Sequence, residues 1–264
     1  MATLALNTDI MKFNFQNKTV LITGASRGVG AAAAKLFANA GAKVALHYNQ
    51  NIKSAEAVLD SLSGENHQLF QADLVRKEAG VELIEQVIRA FGNINIIVNN
   101  AGIYEEHPQE EIDLESWMDV WERTINICLL APAHISYAAT PYMIKNGGGK
   151  IINITSRGAF RGEPTATAYG AAKAGLNSVS QSMAKALGAK KVFVYAVAPG
   201  FIETDMVQYL LDGEEADFYK NQSPLSRFSK PEEIAKTIAF LASEGTDYLT
   251  GGIIDVNGAS YLRS

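Results

Sequence analysis

Thr23-Gly24-Ala25-Ser26-Arg27-Gly28-Val29-Gly30 decides the fold of this chain. It follows an aliphatic, β-branched run over 19–23 and opens an Ala-rich segment of helical periodicity over 31–40. Glycines at such a strand-to-helix junction let the backbone bend sharply and come close to a phosphate. The helix start behind them offers unpaired N–H groups and the positive end of a dipole. This is the setting of a dinucleotide-binding turn, with Gly24, Ser26, Arg27, Gly28, Val29 and Gly30 as its candidate contacts, spaced Gly-x-x-x-Gly-x-Gly rather than Gly-x-Gly-x-x-Gly.

Outward from the turn, apolar runs keep alternating with helix-period segments. Strands are predicted over 19–23, 43–48, 68–71, 94–99, 150–155, 191–197 and 253–256, and helices over 31–40, 53–61, 77–91, 115–145, 167–187 and 231–243. Strands joined by helical crossovers imply the α/β class: a single-domain, Rossmann-type, doubly wound parallel seven-stranded sheet with helices on both faces. Gly147-Gly148-Gly149 reads as the turn ending a helix, not as a linker. The expected organisation is a loose arm over 1–16 and one nucleotide-binding domain over 17–264. The least regular stretch, about 203–230, would hang as a lid at the carboxyl ends of the strands.

Composition narrows the function. The 264 residues are 47% hydrophobic, enough for one large core. A net charge of -5 with interspersed signs leaves no basic stripe for a nucleic-acid backbone. The single cysteine, Cys128, cannot form an intrachain disulfide and lies in an apolar run, where it reads as a small buried hydrophobe. No basic n-region precedes the first apolar residues and no apolar run approaches the length of a bilayer, so a cytoplasmic protein away from membranes is expected. His47, His67, His107 and His134 lie far apart without ligand spacing, so no metal is expected.

The chemistry is carried by Tyr169 and Lys173, within Ala168-Tyr169-Gly170-Ala171-Ala172-Lys173. Four residues apart, they share one helix face, where the ammonium would favour the phenolate and make the tyrosine usable as a proton donor. Alone, such a pair reads as a surface contact. It gains meaning beside the glycine turn, Asn99-Asn100-Ala101-Gly102, Ser156 and Pro199-Gly200.

In these motifs and their order the chain resembles the short-chain dehydrogenases/reductases, from Asn17 to its end. The resemblance implies a catalytic set of Asn126, Ser156, Tyr169 and Lys173. Ser156 would orient the substrate oxygen, Tyr169 would give it a proton, and Lys173 would lower the phenol's pKa and hold the nicotinamide ribose. Asn126 would kink its helix and anchor a water leading from Lys173 to solvent. By the same resemblance Asp73 with Leu74 would meet the adenine, Asn100, Ala101 and Gly102 would line the adenosine side, and Pro199, Gly200, Ile202 and Thr204 would hold the nicotinamide and its phosphate. The family likeness also implies a homotetramer.

Two features bear on cofactor and substrate. The second strand ends in His47-Tyr48-Asn49-Gln50, without the acid that would accept from a free ribose 2'-hydroxyl, and Arg27 stands ready in the turn. NADP(H) is therefore expected over NAD(H), with Tyr48 and Asn49 beside the 2'-phosphate; the other reading of Arg27 is a solvated turn residue. Ser156-Arg157-Gly158-Ala159-Phe160-Arg161-Gly162-Glu163 leads from serine to tyrosine, so Arg157 or Arg161 either recognises an anionic part of the substrate or is a solvated or interface arginine.

Within the family the chain is most similar to the 3-oxoacyl-acyl-carrier-protein reductases. The likeness rests on Ala198-Pro199-Gly200-Phe201-Ile202-Glu203-Thr204-Asp205-Met206, on Ser229-Lys230-Pro231-Glu232-Glu233-Ile234-Ala235, and on Thr250-Gly251-Gly252-Ile253-Ile254-Asp255-Val256-Asn257-Gly258. The arm, Tyr195 and Ala259-Ser260 depart from that pattern. An acyl carrier protein is then a possible partner; Lys145, Lys150, Lys185, Lys190 and Lys191 would supply a basic docking surface, while Asp212, Glu214, Glu215 and Asp217 would oppose it. A small ketone, sugar or polyol is the alternative substrate, and a cofactor-binding sensor without turnover is a third reading.

Overall fold

The computed structural model describes residues 13–204, 213 and 216–263, so most of the expected arm and much of the expected lid lie outside the described residues. Strands β1 (Thr19–Ile22), β2 (Lys43–Tyr48), β3 (Gln68–Gln71), β4 (Ile96–Asn99), β5 (Gly149–Ile154), β6 (Val192–Pro199) and β7 (Ile253–Val256) form one sheet. Its order is β3-β2-β1-β4-β5-β6-β7, and every pairing is parallel. The helices are α1 (Gly28–Asn39), α2 (Ile52–Asp60), α3 (Ala79–Phe91), α4 (Leu114–Ile125), α5 (Ala131–Lys145), α6 (Gly158–Arg161), α7 (Thr167–Leu187), α8 (Ala216–Lys220) and α9 (Pro231–Ala242). From β1 the chain moves outward to β3 and then returns to place β4 on the other side of β1. Adjacent connections therefore leave in opposite directions, and a crevice opens at the carboxyl ends of β1 and β4.

The period of two along each strand sends alternate side chains to opposite layers. Val20, Ile22, Val44, Leu46, Ile96 and Val98 pack with Phe37 of α1 and with Ile234 and Ile238 of α9. Leu21, Ala45, Ile97 and Ile151 pack instead with Leu83, Ile84 and Val87 of α3 and Ile135 and Met143 of α5. Burial on both faces explains why the strands read as continuous apolar runs. Phe15, expected in the arm, is buried against Phe37 with ring centres 4.7 Å apart, so the packed unit extends before residue 17.

The helix expected over 115–145 is interrupted. A π-helical turn spans Asn126–Leu130, with the Ala131 N–H bonded to the Asn126 carbonyl. One extra residue in a turn shifts the following helix face without disturbing its apolar character, so periodicity gives no sign of it. Together the 32 residues Leu114–Lys145 are long and apolar enough, by length and composition, to cross a membrane, contrary to the expectation that no run approaches that length. Ile135, Ala139 and Met143 of this helix are buried in the layer beneath the sheet. Helices α6 and α8, of 4 and 5 residues, are too short to show a period and are additions to the sequence reading.

Tyr195, a departure from the family pattern, is fully buried, and its hydroxyl donates to the Thr246 carbonyl at 3.2 Å. Lys150 lies 5.7 Å from its ring centre and pairs with Asp247 at 3.0 Å. Both are structural anchors beneath the sheet end. Lys150 is thereby withdrawn from the expected docking surface.

Candidate active site

The glycine turn is built by close backbone contact. Gly24 has φ 64°, and a Cβ there would come within 3.0 Å of the Ala101 Cα; Gly28 has φ 55°. Neither position suits an L side chain. A Cβ on Gly30 would meet the Gly24 carbonyl oxygen and lie 2.9 Å from the Ala25 Cα. Thr23 Oγ1 accepts from the Asn100 and Ala101 amides at 3.0 Å each, and Asn100 Nδ2 donates to the Thr23 and Gly24 carbonyls at 2.9 and 3.1 Å. These bonds tie the ends of β1 and β4 across the crevice.

His47 holds the same turn from β2. Its Nδ1 accepts from the Gly24 amide at 3.1 Å, which leaves Nε2 to donate to the Ala72 carbonyl at 3.0 Å. Burial pulls its pKa from 6.5 down to about 4, against the smaller raising effect of the Ala72 bond. His47 is thus a neutral clamp whose tautomer is set by its two partners.

A cavity of about 800 Å³ runs along the crevice, within the size range of small-molecule sites. Of the expected residues, Gly24, Ser26, Arg27, Gly28, Val29, Tyr48, Asn49, Leu74, Asn100, Ala101, Gly102, Ser156, Arg157, Arg161, Tyr169, Lys173, Pro199, Gly200, Ile202 and Thr204 line it. Gly30, Asp73 and Asn126 do not. Gly30 permits the tight turn, Asp73 accepts from the Val75 amide at 3.1 Å, and Asn126 begins the π-turn. Asn99 lies behind the wall, where its Nδ2 donates to Asn153 at 2.8 Å and Ser136 at 3.1 Å. It serves the core, not the cavity.

At the chemical end, Ser156 shares a hydrogen bond with Tyr169. Lys173 is buried, donates to the Ile154 carbonyl at 2.8 Å and lies 5.5 Å from the Tyr169 ring centre. Burial pushes the phenol above its ordinary range, while the Ser156 bond acts in the opposite sense; burial also pulls the ammonium below its ordinary range. The expected lowering of the phenol by Lys173 is therefore not the dominant effect in this geometry, because removing both groups from water opposes charge on each. The resulting neutral phenol is the acid form that proton donation requires.

Three contacts here had no signal in the sequence. The Tyr104 ring meets Tyr169 edge-on at 5.2 Å. His107 Nε2 accepts from the Ala168 amide at 3.2 Å, fixing the start of α7 just before the tyrosine. Glu163 pairs with Arg161 at 3.1 Å. The first two join residues far apart in the chain, which local pattern cannot align; the third is local, and only the fold decides which arginine of the loop takes the glutamate.

The remaining lysines proposed for carrier docking are exposed, but Lys145 ends α5, Lys185 lies in the last turn of α7, and Lys190 and Lys191 follow α7, all shortly before β5 or β6. That places them at the amino edge of the sheet, opposite the crevice. The acids Asp212, Glu214 and Glu215 lie outside the described residues, and Asp217 is exposed on α8.

A glycine turn at a topological switch point, with a serine, tyrosine and lysine gathered in one cavity, defines an oxidoreductase acting on CH-OH and C=O groups. A family model described as enoyl-(acyl carrier protein) reductase matches residues 24–259. The 3-oxoacyl-[acyl-carrier-protein] reductase FabG of Staphylococcus epidermidis is 37% identical over 248 residues, 93% of this chain and 100% of that protein. Its counterpart from Chlamydia trachomatis is 38% identical over 245 residues, 92% and 96% of the two chains. A Burkholderia cenocepacia short-chain dehydrogenase solved in complex with NADP superposes with TM-score 0.86 at 31% identity, covering 94% of this chain and 99% of that one. A blue fluorescent protein from a metagenomic library, solved with NADPH, gives 0.87 at 34% identity, covering 94% and 100%. The chain belongs to the short-chain dehydrogenase/reductase family.

Proposed function

We propose that this enzyme is an NADPH-dependent carbonyl reductase that converts a 3-oxoacyl thioester on acyl carrier protein to the 3-hydroxyacyl form, with Tyr169 as proton donor. The observation that carries the reading is the buried, neutral Tyr169 hydrogen-bonded to Ser156 in the same cavity as the glycine turn. Similarity to 3-oxoacyl reductases supports the substrate class.

The cavity suits a dinucleotide. Gly24 and Gly28 line it at positive φ, and a pyrophosphate would meet the backbone N–H groups at the start of α1. Arg27, Tyr48, Asn49, Gln50, Asn51 and Ser54 line the end beside β2, and no carboxylate stands among them. That lack of an acid, and the NADP and NADPH complexes of similar structures, support NADP(H) over NAD(H). Leu74 and Asn100 to Gly102 would border the adenosine, Lys173 the nicotinamide ribose, and Pro199 to Ile202 with Thr204 the nicotinamide.

When bound, the cofactor supplies a hydride to the carbonyl carbon. The chain's own task is then to govern the oxygen. Ser156 Oγ and Tyr169 OH converge on it, and the phenol gives up its proton as negative charge develops there. Lys173 stands beside the ring and favours the phenolate that remains. Asn126, at the π-turn, would hold the water that returns a proton by way of Lys173. In the oxidative direction Tyr169 takes the proton.

Exposed apolar side chains on α4 and α5, among them Leu114, Met118 and Tyr137, and at the other end Tyr248, Leu249 and Leu262, support the homotetramer. A cytoplasmic location accords with the reading. The test follows NADPH absorbance with a 3-oxoacyl thioester on acyl carrier protein and on pantetheine, beside an enoyl thioester, sugars and simple ketones. Preference for the carrier-borne 3-oxo substrate is expected. Activity confined to small ketones, sugars or polyols would replace the substrate, and inactivity throughout would favour a sensor. Arg27→Leu should lower the NADPH-to-NADH ratio of kcat/KM by about tenfold or more; an unaltered ratio would make Arg27 a solvated turn residue.

A further inference from the structure

Arg157 is a buried cation without a carboxylate partner among the described residues. It is 3% exposed, and it follows Ser156 directly in the loop that closes over the reacting end of the cavity. Its backbone is pinned, the Arg157 amide donating to the Pro199 carbonyl at 2.9 Å. The guanidinium carbon lies 4.4 Å from the Phe201 ring centre, a stacking contact on a residue that itself lines the cavity. Nη2 donates to the neutral Gln222 side-chain oxygen at 2.7 Å, while Nη1 is buried with no hydrogen-bond partner among the described residues.

The neighbouring charges give this cation no ion pair among the described residues, only the more distant pull of Glu163. Glu163 is paired with Arg161 at 3.1 Å, and Arg161 itself repels Arg157. Burial first, and then Arg161, pull the Arg157 pKa from 12.5 to about 10 against the smaller raising effect of Glu163, so it still carries its charge at neutral pH. An ionised group this deep ordinarily finds an opposite charge, because the cost of desolvation exceeds what one neutral amide returns. A guanidinium presents its donors as a planar fork, and here one prong faces a neutral oxygen and the other faces nothing.

We propose that Arg157 receives an anionic oxygen group, of the carboxylate class, on the ketone substrate, so that the enzyme reduces free oxo acids as well as thioesters. The inference rests on the carbonyl-reductase reading and extends its substrate range. The Gln222 oxygen occupies the place of one ligand oxygen, and a carboxylate would displace it to engage Nη1 and Nη2 together. Adjacency to Ser156 sets the anion near the carbonyl. Arg161, already paired with Glu163, is the lesser candidate of the two arginines named from the sequence.

Two measurements test this on the intact enzyme. The first compares kcat/KM for 3-oxobutanoate and its methyl ester in the wild type, Arg157→Leu and Arg157→Lys. The acid-to-ester ratio should fall by about tenfold or more in Arg157→Leu, with Arg157→Lys in between. The second is calorimetric titration of butanoate and butanamide into the NADP complex, which needs no turnover. The wild type should bind butanoate more tightly by about the same factor, and Arg157→Leu should lose that preference. An unaltered acid-to-ester ratio, or equal binding of acid and amide by the wild type, overturns the proposal. A retained butanoate preference with no ketone reduced would overturn the reductase reading and leave the anion site standing. Should Arg157→Leu fail to fold, the Lys variant and the wild-type titration decide the matter.

Discussion

Acidification should loosen the cofactor turn through His47. In the folded chain its ring accepts from the Gly24 amide and donates to the Ala72 carbonyl, so both nitrogens are committed to the neutral form. Protonation would set an N–H of the ring against the N–H of Gly24. The folded pKa is about 4 against 6.5 for the free side chain, so between those values the unfolded chain binds a proton that the folded chain refuses. At about 1.4 kcal/mol per pH unit, the gap amounts to about 3 kcal/mol. The contribution is fully present above pH 6.5 and is lost as pH falls through 4. Urea unfolding at fixed protein concentration, from neutral pH to the low fours, should show this loss in the wild type. His47→Asn, which cannot titrate, should start less stable and lose less over the same range. Nitrogen NMR of the ring should report the Nε2-protonated neutral tautomer at pH 6. Parallel stability slopes for the two proteins, or a charged ring at pH 6, would refute the reasoning.

Three further outcomes follow from the site and its supports. Tyr169→Phe removes the proton donor and should reduce kcat by about 100-fold or more while NADPH still binds, as fluorescence titration would show; a loss smaller than tenfold would assign the proton to another group. Gly30→Ala drives a Cβ onto the Gly24 carbonyl and should cost about 1–3 kcal/mol in urea unfolding together with cofactor affinity. If affinity is kept, the turn is not held as tightly as these contacts imply. Tyr195→Phe removes one of the two donors to the Thr246 carbonyl, which keeps the Leu249 amide, and should cost about 1 kcal/mol with no alteration in KM, whereas a raised KM would make Tyr195 part of the substrate wall.

The sequence by itself determined the α/β class, the strand positions to within a residue or two, and most of the residues that line the cavity. Those features are written locally. A parallel strand buried on both faces must be a continuous apolar run, and a backbone that turns against a phosphate must be glycine where φ is positive or a Cβ would collide. The neighbours in the chain suffice to read them.

The tertiary structure decided what depends on juxtaposition. The glycine turn is clamped by His47 from the adjacent strand, and α7 is fixed by His107 from a distant loop. Lys150 and Tyr195, conspicuous as departures or as surface charge, sink beneath the sheet, and the other docking lysines fall at the edge away from the crevice. Arg157 and Arg161 are indistinguishable as two arginines in one loop, yet Arg161 is paired with Glu163 and Arg157 is buried without an ion pair among the described residues. Burial and pairing are properties of the surrounding space, assembled from residues scattered along the chain, and they set pKa values and charge recognition that no local pattern encodes.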